Sequence, residues 1–195
     1  MPHRMATLTA CLLGALCVNL NGCAGVVVAG GAAGAASVAS DTRTTGTIVE
    51  DQAIEFRIAN AIASDQTLAS KTNISVTSYN LMVLLTGEAP TADLRSRVFN
   101  IAREDKKAKK VYNEVQIAGP LPLKARNYDS WLTTKVKSAL VGTKDINALS
   151  IKVVTSNTIV YLLGVVSRKQ GQIAAETASK VEGVTKVVKA FEYTD

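Results

Sequence analysis

Three cysteines, one histidine and one tryptophan bound the chemistry open to this chain. Cys11, Cys17 and Cys23 all lie ahead of Ala24 and none follows, so a disulfide framework is excluded. His3 is the single histidine, which rules out a Cys/His metal site and Ser–His–Asp or Cys–His catalysis. No glycine-rich phosphate loop follows a strand pattern. Asp129 with Asp145, or Asp65 with Glu88, could be named as acid/base pairs. Nothing in their spacing forces them together, and they read as solvated surface charge. The sequence therefore implies no enzyme, no metal and no cofactor.

The chemistry that remains is lipid chemistry. His3 and Arg4 open a short basic start, and Leu8–Val18 is a mostly apolar run. That run is shorter than the roughly 20 residues a bilayer span needs, but it has the length of a signal-peptide core. Leu20-Asn21-Gly22-Cys23 follows, an apolar, a variable and a small residue before a cysteine. This is a lipobox pattern. The small Gly22 lets the peptidase reach the bond, and the Cys23 thiol carries diacylglycerol as a thioether. Leu8-Thr9-Ala10-Cys11 has the same form but leaves almost no apolar run before it. Ala24 stands where Asp would retain a Gram-negative lipoprotein in the inner membrane, so transfer to the outer membrane is implied. Residues 1–22 are thus read as signal peptide and 23–46 as lipidated cysteine plus tether. Within the tether, the uncharged stretch 24–40 carries Gly25, Gly30, Gly31 and Gly34, which oppose a stable helix. It reads as a flexible leash or as an apolar segment lying against the membrane.

Trp131 and Lys135 form the second chemical feature. An amphipathic ring with a cation four residues on suits a membrane interface, the ring in the headgroup layer and the ammonium at lipid phosphate. The same residues also fit a tryptophan that covers a domain edge or packs on another module. Lys137 and Ser138 are supporting candidates. The chain carries +6, and loss of Arg4 with the leader leaves +5. No Lys/Arg run is interleaved with aromatics, so nucleic acid is not implied. Lys106, Lys107, Lys109 and Lys110 read as a solvated helix end.

The elements that must position these residues repeat. Asp51–Ile62 aligns with Asp129–Leu140, Ile74–Asn80 with Ile151–Asn157, Met82–Gly87 with Ile159–Gly164, and Lys110–Val115 with Lys186–Phe191. Ile54, Ile58, Ala61 and Ile62 share one helical face, and Leu132, Val136, Ala139 and Leu140 repeat it. Two β-rich runs follow, joined at Tyr79–Asn80 and Ser156–Asn157, where Asn tolerates the positive φ of a tight hairpin. Gly87 and Gly164 are expected to end the second strand, where a bend or close approach needs no Cβ. A second helix begins near Thr91 and Ser167, both N-cap types, with Ile173, Ala174, Thr177, Ala178 and Val181 facing inward in the second copy. A last strand, Lys110–Ile117 or Thr185–Tyr193, should lie parallel to the one before through a right-handed crossover. The expected fold is α+β: two tandem αββαβ modules, 47–118 and 129–195, each a three-stranded sheet packed by two helices, joined by a linker over 119–128.

This αββαβ order, the placement of Gly87 and Gly164, and Glu182-Gly183-Val184-Thr-Lys-Val187 resemble a BON domain. Two such domains behind a lipobox resemble the dual BON-domain outer-membrane lipoproteins of the DolP (YraP) family. The stretches Asp129–Lys137, Asn73–Tyr79 and Val111–Glu114 carry that resemblance most closely. It implies binding of anionic phospholipid through the second domain, with Trp131, Lys135, Lys137 and Ser138 as the contact residues. It also implies support of outer-membrane integrity from the periplasmic face, location at the division site, and contact with the outer-membrane protein assembly machinery. A periplasmic interaction scaffold acting on that machinery is the alternative. One departure stands out: the first copy has Lys107–Ala108 where the second has Gly183–Val184.

Overall fold

Each module is built from a long amphipathic helix, a hairpin, a second helix and a parallel return strand, and the two copies differ in informative ways. The computed structural model describes residues 43–195. In the first module α1 (Thr45–Ser64) and the short α2 (Gln66–Lys71) precede the hairpin β1 (Asn73–Tyr79) and β2 (Met82–Ala89). Then come α3 (Ala92–Glu104), β3 (Lys110–Asn113) and β4 (Gln116–Ile117). In the second module α4 (Leu123–Val141) leads to β5 (Ile151–Ser156), β6 (Ile159–Val166), α5 (Arg168–Ser179) and β6's parallel neighbour β7 (Lys186–Tyr193). A 3₁₀ turn, Ala148–Ser150, stands where the first module has α2.

The helices start where the sequence places their caps. Thr91 Oγ1 accepts from Leu94 N, and Ser167 with Gln170 forms a reciprocal capping box. The hairpins pair antiparallel, Tyr79 opposite Met82 and Ser156 opposite Ile159, and each return strand pairs parallel with the second hairpin strand. Period-2 alternation then splits each sheet into two faces. Val83 and Leu85 join Ile54, Ile58, Leu94 and Val98 in one core beneath the helices. Val160 and Leu162 join Val136, Leu140, Ala174 and Phe191 in the equivalent core. The opposite faces supply a third cluster, Tyr79, Leu84, Tyr161, Leu163 and Ala190, drawn from both modules. The sheets therefore pack back to back, helices outermost.

Several expectations are corrected. Gly87 and Gly164 do not end their strands; β2 runs on to Ala89 and β6 to Val166. The close approach expected of these glycines is present, within the strands rather than at their ends. A Cβ on Gly87 would lie 1.9 Å from the Asn73 carbonyl oxygen, and one on Gly164 2.6 Å from that of Ser150. The return strand of the first module is not continuous from Lys110 to Ile117. It breaks at Glu114–Val115, where Val115 turns into the helix-side core. The stretch 119–128 is not all linker, because α4 begins at Leu123 directly after Pro122, whose fixed φ of −64° suits a helix start. Ala61 is exposed, and the buried face of α1 is completed by Asp51.

Candidate functional site

The buried aspartates Asp51 and Asp129 explain how the first helix of each module is fixed to its hairpin. Both hairpins turn through two residues with positive φ, Asn80 and Leu81 (52° and 66°) and Asn157 and Thr158 (49° and 62°). Leu and Thr rarely adopt this conformation. Asp129 holds the second turn by accepting from Asn157 N at 2.8 Å and Thr158 N at 2.9 Å. Asp51 accepts from Asn80 N at 2.8 Å, Leu81 N at 2.7 Å and Ser78 Oγ at 2.7 Å. It also pairs with Arg43 at 2.7 Å, whose guanidinium lies 3.8 Å from the Tyr79 ring centroid. The reading of Asp129 and Glu88 as solvated charges is thus overturned: they are 7% and 2% exposed. Asp129 is buried because a two-residue turn leaves orphan amides that only a carboxylate from the facing helix reaches. Asp65 caps α2 and pairs with Arg97, and Asp145 is exposed. The Leu68 amide and Arg97 hold the Asp65 carboxyl below its ordinary range, and the Arg57 guanidinium does the same for Asp105.

With its inward face committed to Asp129, Leu132, Val136 and Leu140, α4 turns a different stripe to solvent. Lys124, Tyr128, Trp131, Lys135 and Ser138 recur at alternating spacings of four and three, one helical face. Trp131 is 51% exposed and Tyr128 40%. Their ring centroids lie 5.3 Å apart at 37°. Lys135 Nζ sits 4.4 Å from the Trp131 ring centroid and donates to the Glu182 carbonyl at 3.3 Å. That holds an ammonium over an aromatic face at the protein surface. The loop carrying Glu182 packs tightly here: Gly183 has φ +98°, and a Cβ on it would lie 2.3 Å from Tyr128 Oη.

The structure therefore brings Trp131 and Lys135 together and puts Ser138 two turns on along the same stripe. It does not bring Lys137 there. Lys137 faces another side of α4, beside a hollow of about 250 Å³ lined by Val141 and Leu149. The sequence reading missed Tyr128, although its i, i+3 spacing to Trp131 was visible. Gly183 was noted for its family pattern but not for its contact with Tyr128, which only the tertiary fold reveals. Cys23 and residues 24–42 lie outside the described residues; residues 43–46, expected in the tether, belong to the first module instead, because Thr44 caps α1 and Arg43 pairs with Asp51. Among the described residues, no helix is long and apolar enough to cross a membrane, and no group of three or more His, Cys, Asp or Glu could hold a metal.

The BON domain family model matches twice, over residues 50–119 and 128–195. The chain is 40% identical over 186 residues to "Outer membrane lipoprotein DolP" of Haemophilus influenzae, covering 95% of each. The chain belongs to the DolP family of dual BON-domain lipoproteins. It is also 37% identical to a "21 kDa hemolysin" of Actinobacillus pleuropneumoniae, over 78% of this chain and 79% of that protein. Among solved structures, CdsD, a structural protein of the type III secretion system of Chlamydia trachomatis, matches at TM-score 0.30 and 13% identity. That match covers 72% of this chain and 62% of CdsD, under two thirds of its length. Within a DolP-family chain, the stripe on α4 has no counterpart in the first module, where Ala53 occupies the place of Trp131.

Proposed function

We propose that this chain is an outer-membrane lipoprotein, anchored through Cys23 on the periplasmic face, whose second BON module docks on anionic phospholipid through Trp131 and Lys135. The observation that carries the reading is the exposed Trp131 ring, tilted against Tyr128 and capped by the Lys135 ammonium, on a helix whose core face is already filled. The apolar ring enters the headgroup layer while Lys124 and Lys135 meet phosphate, and each basic residue near such a surface contributes about 1 kcal/mol. The lipid anchor raises the local concentration of this face at the membrane, so a weak contact suffices. The lipobox at Leu20–Cys23 and the DolP relative support the anchor and its membrane. Support of envelope integrity, at the division site, is the role such a double attachment fits.

Co-sedimentation of residues 41–195 with neutral and anionic vesicles tests this. Binding to anionic vesicles that falls at least tenfold in Trp131→Glu, with the melting temperature kept within a few degrees, is the expected outcome. No binding by the folded wild-type fragment would sink the reading. The scaffold reading, contact with the outer-membrane protein assembly machinery, has its own support in the first module. Val49 and Phe56, 62% and 68% exposed, form an apolar stripe on α1 away from its core. A photo-crosslinker at Phe56 that captures an assembly subunit in cells, with Trp131→Glu in place, would favour it.

A further inference from the structure

The two modules are related by an internal pseudo-two-fold axis, and the seam between them is closed on one side and hollow on the other. The symmetry is visible in the clasp. Asn80 Nδ2 of the first hairpin turn donates to Glu192 Oε2 on β7 at 2.7 Å. Asn157 Nδ2 of the second donates to Gln116 Oε1 on β4 at 2.8 Å. Asn80 and Asn157 occupy equivalent repeat positions, as do Gln116 and Glu192. On the closed side, Lys152 of β5 reaches across, its Nζ 2.9 Å from Glu55 Oε1 and 3.3 Å from the Ser78 carbonyl. The symmetry-related positions are Ser75 for Lys152, Thr133 for Glu55 and Thr155 for Ser78. There the ammonium is missing, and a solvent-connected cavity of about 240 Å³ opens, lined by all three.

This cavity contains the charge that an ammonium would meet. Glu88 lines it and is 2% exposed. Glu88 Oε2 accepts from Asn73 Nδ2 at 2.9 Å and from Leu121 N at 3.3 Å, while Oε1 has no hydrogen-bond partner among the described residues. Among the described residues Arg95 Nε is the buried side-chain atom left without a partner, so Glu88 Oε1 is not sealed in but opens on the cavity. Arg126 also lines the cavity, is exposed, and its guanidinium has no ion-pair or hydrogen-bond partner among the described residues. The other carboxylate in the wall, Asp129, is used by the hairpin turn. The cavity thus has an anionic oxygen in its depth and a free cation on its wall, with hydroxyls between them.

We propose that this seam is a binding site for a small zwitterion bearing a primary ammonium and a phosphate, the chemistry of a phosphoethanolamine headgroup. The ammonium donates to Glu88 Oε1, as Lys152 does to Glu55 across the closed seam, and the phosphate faces Arg126, whose planar fork suits it. A volume below the usual 300–1,000 Å³ of drug-sized pockets fits so small a ligand. The site involves neither Trp131 nor Lys135 and is independent of the docking surface proposed above.

Calorimetric titration of the full lipidated chain in dodecyl maltoside with O-phosphoethanolamine tests it, with phosphocholine, which has no N–H, as the comparison. Saturable binding of phosphoethanolamine, at least tenfold tighter than phosphocholine, is expected. Glu88→Gln, which keeps an acceptor for Asn73 and Leu121, weakens it at least tenfold. Ser75→Lys supplies an internal ammonium at the place of Lys152, and is expected to abolish binding while raising the melting temperature. This second variant keeps the test decisive should Glu88→Gln fail to fold. Competition by phosphatidylethanolamine vesicles would identify the source as a lipid headgroup, and its failure a soluble zwitterion. No binding of phosphoethanolamine, equal binding of phosphocholine, or unchanged binding in Ser75→Lys would overturn the proposal.

Discussion

At the scale of the residue, polar groups inside the fold do more to specify this chain than any exposed charge. Asp51 and Asp129 each accept from the orphan amides of a turn whose second residue, Leu81 or Thr158, disfavours positive φ. Removing the Asp129 carboxylate leaves two amides without an acceptor, each costing about 1–3 kcal/mol. Asp129→Ala is therefore expected to lower stability by about 3 kcal/mol, measured by urea unfolding. A change below about 1 kcal/mol would show that water replaces the carboxylate. The positive φ at Asn80 and Asn157 was legible in the sequence, but the carboxylates that hold the turns were not. Asp129 was visible as the start of an aligned repeat, yet hydrophobic periodicity says nothing about a buried carboxylate, because its partners are amides distant in the chain. Trp131 with Lys135 was legible, since i and i+4 on a helix always meet. Lys137 was misplaced because nearness in sequence is not nearness on a helical face.

At the scale of the element, the repeat made most of the architecture readable. Two copies of one pattern fixed helix faces, hairpin positions and caps, and Thr91 and Ser167 cap as their types and spacing require. Strand ends were less readable: the close approach at Gly87 and Gly164 was legible, but it falls inside strands that run on to Ala89 and Val166. β2 passes Asn73 of β1 so tightly that only Gly fits, and Gly87 also holds φ +108°. Gly87→Ala should therefore either abolish folding or lower the melting temperature by more than 10 °C, read by circular dichroism. A near-native melting temperature would mean that β1 can retreat. The break between β3 and β4 was likewise missed. Asn113 and Glu114, both poor strand formers, stand at the break, and Asn113 Oδ1 accepts from Val115 N at 3.4 Å as Val115 turns inward.

At the scale of the molecule, the helix-free faces of the two sheets bury Tyr79, Leu84, Tyr161 and Leu163 against each other. Tyr79 Oη donates across the seam to the Ser150 carbonyl at 3.0 Å. Burial, with Glu114 nearby, pushes the Tyr161 hydroxyl up to about 12. A module expressed alone would expose this face. The two are thus expected to unfold together, in one calorimetric transition. Ile58→Ala in the first core, a loss of about 2–5 kcal/mol, should shift that transition as a whole. Two resolved transitions, with only one shifted, would show the modules to be independent. The back-to-back packing could not be read from the sequence, since a continuous apolar run such as Ile159–Val166 marks a strand as buried on both faces without naming what covers the second.

The central claim is that Trp131 enters the lipid headgroup layer. As the single tryptophan of the chain, it reports on itself. The decisive measurement is its fluorescence on vesicles carrying brominated or spin-labelled acyl chains. The account predicts a blue shift and depth-dependent quenching on anionic vesicles, weakened by salt and absent on neutral ones. An emission spectrum that stays solvent-exposed while the protein co-sediments with those vesicles would contradict it, and would place the lipid contact elsewhere on the molecule.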